Sequence, residues 1–185
     1  MYSRSSQPIQ FERDCAAVMV PQGQAIVLPA GSYGYITQAL GGSYTVYVEG
    51  NLFRIAGVDA DAIGLEPPQP LTLEHDANDE AIERLLWQQL RTCFDPEIPV
   101  NIVDLGLVYG VVLHPVSADQ ASRRVSVQMT LTAPGCGMGD VLVDDVRHKL
   151  LAVPTIATVD VELVFDPPWN RQMMSDAARL ETGFF

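Results

Sequence analysis

The stretch RVSVQMTLTAPGCGMGDVLVDDVRHKLLAVPTIATVDVELVF, residues 124–165, decides the fold of the second part of the chain. Its opening alternates. Val125, Val127, Met129 and Leu131 face one way, and Ser126, Gln128, Thr130 and Thr132 the other. Successive side chains of an extended chain point to opposite sides, so this is a strand with one apolar and one polar face. Residues 140–151 read as a helix opened by Asp140. Thr158 to Phe165 alternates again, with Val159, Val161, Leu163 and Phe165 opposite Asp160 and Glu162. The strand–helix–strand unit predicts a right-handed parallel crossover.

The flanking segments extend this pattern. Leu107 to Leu113 places Leu107, Tyr109, Val111 and Leu113 on one face, and this strand lies close enough to the next to pair with it antiparallel. Residues 77–93 set Ile82, Leu85, Leu86, Leu90 and Cys93 on one helical stripe, with acidic residues in the first turn where the helix dipole favours them. Pro96 and Pro99 stop that helix. Arg171 to Leu180 reads as a last helix ending near Gly183. Two of the three strands keep a polar face. The expected fold class is therefore α+β / α/β: a two-layer domain with a small mixed three-stranded sheet and helices mainly on one face.

The chain changes character at EPPQPLT, residues 66–72, where three prolines in four positions continue neither a helix nor a central strand. We place a small β-rich, barrel-like N-terminal domain at 16–66, a Pro-rich linker at 67–73 and the second domain at 74–185. In the first part, Ala25–Leu28, Tyr33–Gln38, Ser43–Val48 and Leu52–Ala56 are short strand candidates, with turn signals at Gly41-Gly42 and Glu49-Gly50-Asn51. Its glycines have no Lys-Ser/Thr partner, which argues against a phosphate-cradling loop.

The chain has 185 residues, 48% of them apolar, and a net charge of −12. Three basic residues face six acidic ones up to Glu66, and eight face seventeen after it, so the acidity is concentrated in the second part. That balance argues against a binder of nucleic-acid backbone, which needs a Lys/Arg face, and against docking on an anionic membrane. The N-terminal MYSRSSQPIQFERDC lacks the apolar run of a signal peptide, and no segment approaches the roughly 20 residues of a membrane span. The expected location is cytoplasmic. The cysteines, at 15, 93 and 136, are odd in number and form no CxxC, which argues against a disulfide scaffold and excludes four cysteine ligands from one chain.

Cys136 stands apart from the other two cysteines. It lies in TAPGCGMGD, where a strand runs into a glycine-rich loop that feeds a helix, about one turn before the helix start. Backbone N–H groups at a helix start favour thiolate over thiol, and Gly135, Gly137 and Gly139 remove side chains around it. Cys93 lies on an apolar stripe, and both it and Cys15 read as small hydrophobes. Asp95 and Glu97 stand at i, i+2 in an extended DPEIP segment and share a side. Such a pair can coordinate a hard cation, act on a proton or cap a neighbouring element, capping being the commoner use. Trp169, in DPPWN, packs over the core or anchors a partner. Met173 and Met174 read as core filler, and His75, His114 and His148 have no metal-site spacing.

Taken in order, DPEIPVNIVDLGLVYGV, VQMTLTAPGCGMGD and VDVELVFDPPWNRQMMSDAARLETG resemble the metal–sulfur cluster assembly factor domain. That domain occurs in cytosolic iron–sulfur targeting factors and in the phenylacetyl-CoA oxygenase assembly subunit. The run LPAGSYGYITQALGGSYTVYVEGNLFRIAG resembles the extra region of SufT-type proteins, which belong to the SUF iron–sulfur machinery, so the resemblance covers roughly residues 16–183. It implies a maturation or carrier role for a factor that aids cluster transfer to client proteins, with no catalytic reaction assigned. The family's signature residues map to Asp95, Glu97, Thr132 and Cys136. Where the family often has a second Thr before the Pro and a Pro after the Cys, this chain has Ala133 and Gly137; the cysteine is retained. Cluster irons take thiolate ligands, four in the common case. With Cys136 as the metal and cofactor ligand, the resemblance implies a transient or intersubunit iron–sulfur cluster. The implied partners are iron–sulfur assembly proteins, client apoproteins and a second copy in a homodimer. Two other readings stand beside it: a metal-free adaptor that docks clients through its sheet face and the Trp169 turn, and a thiol enzyme using Cys136.

Overall fold

The computed structural model describes residues 7–74, 78–95, 98–116, 119–133 and 139–183. The chain divides into two compact units, Met1–Gln69 and Pro70–Phe185.

In the first unit six strands form one antiparallel sheet: β1 (Gln7–Gln10), β2 (Cys15–Val20), β3 (Ala25–Leu28), β4 (Tyr33–Leu40), β5 (Ser43–Val48) and β6 (Asn51–Ala56). Gly41 and Gly42, at φ 58° and 70°, make the two-residue turn between β4 and β5. Such left-handed turns match the twist of the strands they join. Glu49 and Gly50 do the same between β5 and β6. The strand order is β1-β4-β5-β6-β2-β3. Its outer strands, β1 and β3, each pair with a single strand, so the pairing among described residues is an open sheet and not the expected barrel-like closure. Phe11, Cys15, Val46, Phe53 and Ile55 fill the core face, and a 3-10 helix over Gly57–Ile63 adds Ala62 and Ile63 to it.

The second unit comprises α1 (Asp79–Leu90), β7 (Val108–Val116), β8 (Asp119–Met129), α2 (Gly139–Leu151), β9 (Ile156–Leu163) and α3 (Asp176–Thr182). Asn78 starts α1 by accepting the Ala81 N–H at 3.0 Å. The sheet order is β7-β8-β9, antiparallel between β7 and β8 and parallel between β8 and β9. This is the mixed three-stranded sheet that the alternation predicts. Ile82, Leu86 and Leu90 of α1 and Leu142, Val146 and Leu150 of α2 join Val125, Val127 and Met129 of β8 in one core. Each of these side chains contributes about 1.5–3 kcal/mol on burial. On the opposite sheet face Gln128 Nε2 donates to Glu162 Oε2 at 3.0 Å, both side chains exposed.

Two local expectations change. The β7–β8 pairing shifts between Val108 and Gly110, so Tyr109 leaves the alternation that the sequence assigns it with Val111 and Leu113. A bulge inserts one unpaired residue and re-aims its side chain; the Tyr109 hydroxyl donates to the Pro167 carbonyl at 2.8 Å. The last helix is also broken. A 3-10 turn over Arg171–Met173 ends at Met174 in extended geometry, and α3 restarts with Ser175 Oγ accepting the Ala178 N–H at 3.2 Å.

Candidate functional site

The segment between α1 and β7 is built from the inside by backbone groups. Phe94 and Asn101 form an isolated antiparallel bridge, and the Ile102 N–H returns to the Cys93 carbonyl at 2.9 Å. Asp95 caps the excursion between them, its Oδ1 accepting the Ile98 N–H at 3.1 Å. Of the paired carboxylates expected here, Asp95 therefore has a structural use, and Glu97 lies outside the described residues.

Residues 101–107 form a turn that gathers three other parts of the unit. Asn101 and Asp104 close it reciprocally: Asn101 Nδ2 donates to Asp104 Oδ2 at 2.6 Å, and Asn101 Oδ1 accepts the Asp104 N–H at 2.9 Å. The Asp104 carbonyl accepts the Ser175 N–H at 2.8 Å, the Leu105 carbonyl accepts the Trp169 indole Nε1–H at 2.8 Å, and the Leu107 carbonyl accepts the Thr130 N–H at 2.8 Å. Gly106 sits at the centre with φ +73°, and a Cβ there would lie 2.2 Å from the Met173 carbonyl oxygen. The turn therefore ties the C-terminal segment to the end of β8. Asn101, Asp104 and Gly106 are not among the residues that the motifs single out, although an Asn-x-x-Asp spacing with a glycine two residues on marks them.

Trp169 is half-buried and packs against the core of this unit. Its one polar group is already used, because indole Nε1–H is a donor only. Thr130, just past β8, is fully buried, and among the described residues its Oγ1 has no hydrogen-bond partner. A buried hydroxyl without a partner costs about 1–3 kcal/mol. Thr132, two residues on, is half-buried, and α2 begins at Gly139 with Asp140 in its first turn. Cys136 falls between these two described segments and lies outside the described residues.

The other cysteines are both fully buried. Cys93 Sγ donates to the Gln89 carbonyl at 3.6 Å. Burial, with the nearby Asp59 charge second, pushes the Cys15 thiol up to about 11. Neither sulfur is open to solvent. Among the described residues no group of three or more His, Cys, Asp or Glu side chains is arranged to hold a metal ion. No helix is long and apolar enough to cross a membrane.

Residues 83–163 match the family model described as iron–sulfur cluster assembly protein. The span runs from α1 to the end of β9 and includes Asp95, Glu97, Thr132 and Cys136. The chain is 50% identical over 102 residues to a protein of Porphyromonas gingivalis named Fe-S protein maturation auxiliary factor, covering 55% of this chain and 91% of that one. It is 40% identical over 89 residues to the Fe-S protein maturation auxiliary factor SufT of Staphylococcus aureus, covering 48% of this chain and 94% of that one. A solved domain of unknown function from Bacillus anthracis is 38% identical, with a TM-score of 0.49, over 57% of this chain and 95% of that one. The matches to these proteins thus take in about half of this chain, while spanning nearly all of each relative. Half the residues over nine-tenths of a relative's length are shared, and the chain belongs to the family of iron–sulfur cluster assembly proteins that includes the bacterial Fe-S protein maturation auxiliary factors.

Proposed function

We propose that this chain is a maturation factor that helps deliver iron–sulfur clusters to client apoproteins, with Cys136 as its ligand to the cluster in transit. The observation that carries the role is the 50% identity across 91% of a protein named as such a factor. The burial of Cys15 and Cys93 supports the choice of cysteine, because a ligand thiolate has to reach the metal. Cluster irons take four thiolates in the common case, and this chain offers one. The cluster is therefore shared with a second copy, a partner protein or a small thiol, and is cargo that moves on to a client.

A helix start alone is worth about 0.3–1 kcal/mol to a nearby anion, less than tenfold in an equilibrium constant. Iron itself has to complete the deprotonation of the ligand thiol, and metal binding then releases a proton. Asp95, fixed on Ile98, and Glu97 position a partner or complete coordination. Thr132 is the signature residue four positions before Cys136. Trp169, its N–H tied to Leu105 and part of its ring packed on the core, offers only the exposed part of that ring to a partner. The partners are assembly proteins of the SUF type and client apoproteins, in the cytoplasm, and the factor carries no catalytic reaction of its own. The net −12 suits protein partners with basic surfaces and not nucleic acid.

The test is anaerobic reconstitution with iron and sulfide, measuring both and the visible absorption, for the native chain and Cys136→Ser. Retention by the native chain and loss in the variant is expected. A native chain that holds no iron, together with normal client maturation by Cys136→Ser, would sink the proposed ligand.

A further inference from the structure

The outer face of the Met1–Gln69 sheet is aromatic and exposed. Residues paired directly across neighbouring strands share a face. The register gives a continuous row in which Pro8 lies opposite Tyr35, Tyr35 opposite Tyr47, Tyr47 opposite Leu52 and Leu52 opposite Val20. Their neighbours along the strands, Ile9, Val46 and Phe53, are buried on the core face. Tyr33, two positions before Tyr35, joins the outer face. Tyr33, Tyr35, Tyr47 and Leu52 are 71, 49, 43 and 38% exposed.

The face is also nearly free of charge. The six strands contain one charged residue, Arg54, which is half-buried with its Nε donating to Ser43 Oγ at 3.3 Å. The acidic residues of this part, Glu12, Asp14, Glu49, Asp59, Asp61 and Glu66, all lie outside the strands. Depletion of charge with enrichment of tyrosine marks the centre of an interface and not a solvated surface.

We propose that this face docks a second copy of the chain, sheet face against sheet face about a two-fold axis, as a weak dimer. Charge and chemistry select that occupant. Two copies of a chain carrying −12 repel wherever their acidic surfaces meet, and the strands that form this face contain no acidic residue. A two-fold contact sets the same patch on itself. Tyrosine suits that, because its hydroxyl both donates and accepts and so pairs with its own kind. A tyrosine presents about 200 Å², so the three at these exposures leave about 330 Å² open per copy. With Leu52, Pro8 and the exposed Val27 the patch reaches roughly 500 Å², and two copies bury about 1,000 Å², the lower edge of specific interfaces. The inference is independent of the maturation role.

The test is sedimentation of the full chain over two decades of concentration, with Tyr35→Ser/Tyr47→Ser and, on the exposed face of the other unit, Val112→Ser as a control. Circular dichroism and a thermal melt check the fold. If the double variant does not fold, Tyr33→Ser replaces it, since that side chain is the most exposed of the row. A native dimer that dissociates within that concentration range is expected, as its small area implies. The tyrosine variant should weaken it about tenfold or more and Val112→Ser should leave it unchanged. Added salt should strengthen it, because screening relieves repulsion between the acidic surfaces and leaves the apolar contact intact. A native chain that stays monomeric throughout overturns the proposal. So does a dimer indifferent to the tyrosines, or a monomer that uses the row to bind a different protein.

Discussion

Replacing Gly106 by alanine should damage the second unit far more than its size implies. Gly106 has φ +73°, where an L-residue is disfavoured by about 1–2 kcal/mol. The added Cβ would also lie 2.2 Å from the Met173 carbonyl oxygen, so the backbone there has to move. That backbone is held nearby: the Met173 N–H donates to the Asn170 carbonyl at 3.0 Å, and the Ser175 N–H to the Asp104 carbonyl at 2.8 Å. Forcing atoms into a fixed, filled place typically costs about 1–3 kcal/mol. Together the two terms give about 2–5 kcal/mol, a large share of the roughly 5–15 kcal/mol that stabilises a domain. Urea unfolding followed by tryptophan fluorescence is the assay, because Trp87 and Trp169 both belong to the unit Pro70–Phe185. Gly110→Ala is the matched control: its φ is not positive, and a Cβ there meets nothing within 4 Å. It should leave stability unchanged or raise it by about 0.4–1 kcal/mol. A loss below about 1 kcal/mol for Gly106→Ala, or one no larger than for Gly110→Ala, would show that the turn does not need glycine at this position.

Trp169→Phe keeps an aromatic ring, though a smaller one, and removes the Nε1–H bond to Leu105, so urea unfolding should show a loss of about 1–3 kcal/mol, and native stability in the variant would show that the bond does not hold the turn. In the first unit Arg13 reaches Asp59 at 2.9 Å and Asp61 at 2.5 Å, and its guanidinium holds the Asp61 carboxyl below the usual carboxylate range. A lowered folded-state value contributes stability that is present above the unfolded value, about 4, and lost as pH falls through the folded one. The gap in melting temperature between the native chain and Arg13→Gln should therefore be full at neutral pH and close in acid; a gap that widens in acid would contradict the pairing.

Much of the second unit is legible because its elements obey one period each. Val125–Leu131 and Val159–Leu163 alternate cleanly, and their parallel pairing follows from the helix between them. Tyr109 is misplaced because a bulge at Val108/Gly110 depends on the partner strand and leaves no local mark. The break at Met174 carries a signal in Ser175-Asp176, an N-cap followed by an acidic first turn, which helical spacing alone overrides. In the first unit the Gly41-Gly42 hairpin is plain, whereas β1 is invisible. QPIQ has neither alternation nor length, and it is a strand only because Ile9 pairs with Gly34, far along the chain. An open order of β1-β4-β5-β6-β2-β3 likewise rests on long-range pairing that short strands and glycine turns do not encode. At the site, capping by Asp95 is readable from its place before a proline. The 101–107 turn is readable only in its Asn101–Asp104 closure, since the bonds that tie it to the rest of the unit come from Thr130, Trp169 and Ser175, distant in sequence.

A role in iron–sulfur maturation is best tested by client activity in cells that lack this chain. We expect the activity of an iron–sulfur enzyme per unit of its protein to fall, to recover with the native chain and to stay low with Cys136→Ser. Client activity that is unchanged without the chain, or fully restored by Cys136→Ser, would contradict the account.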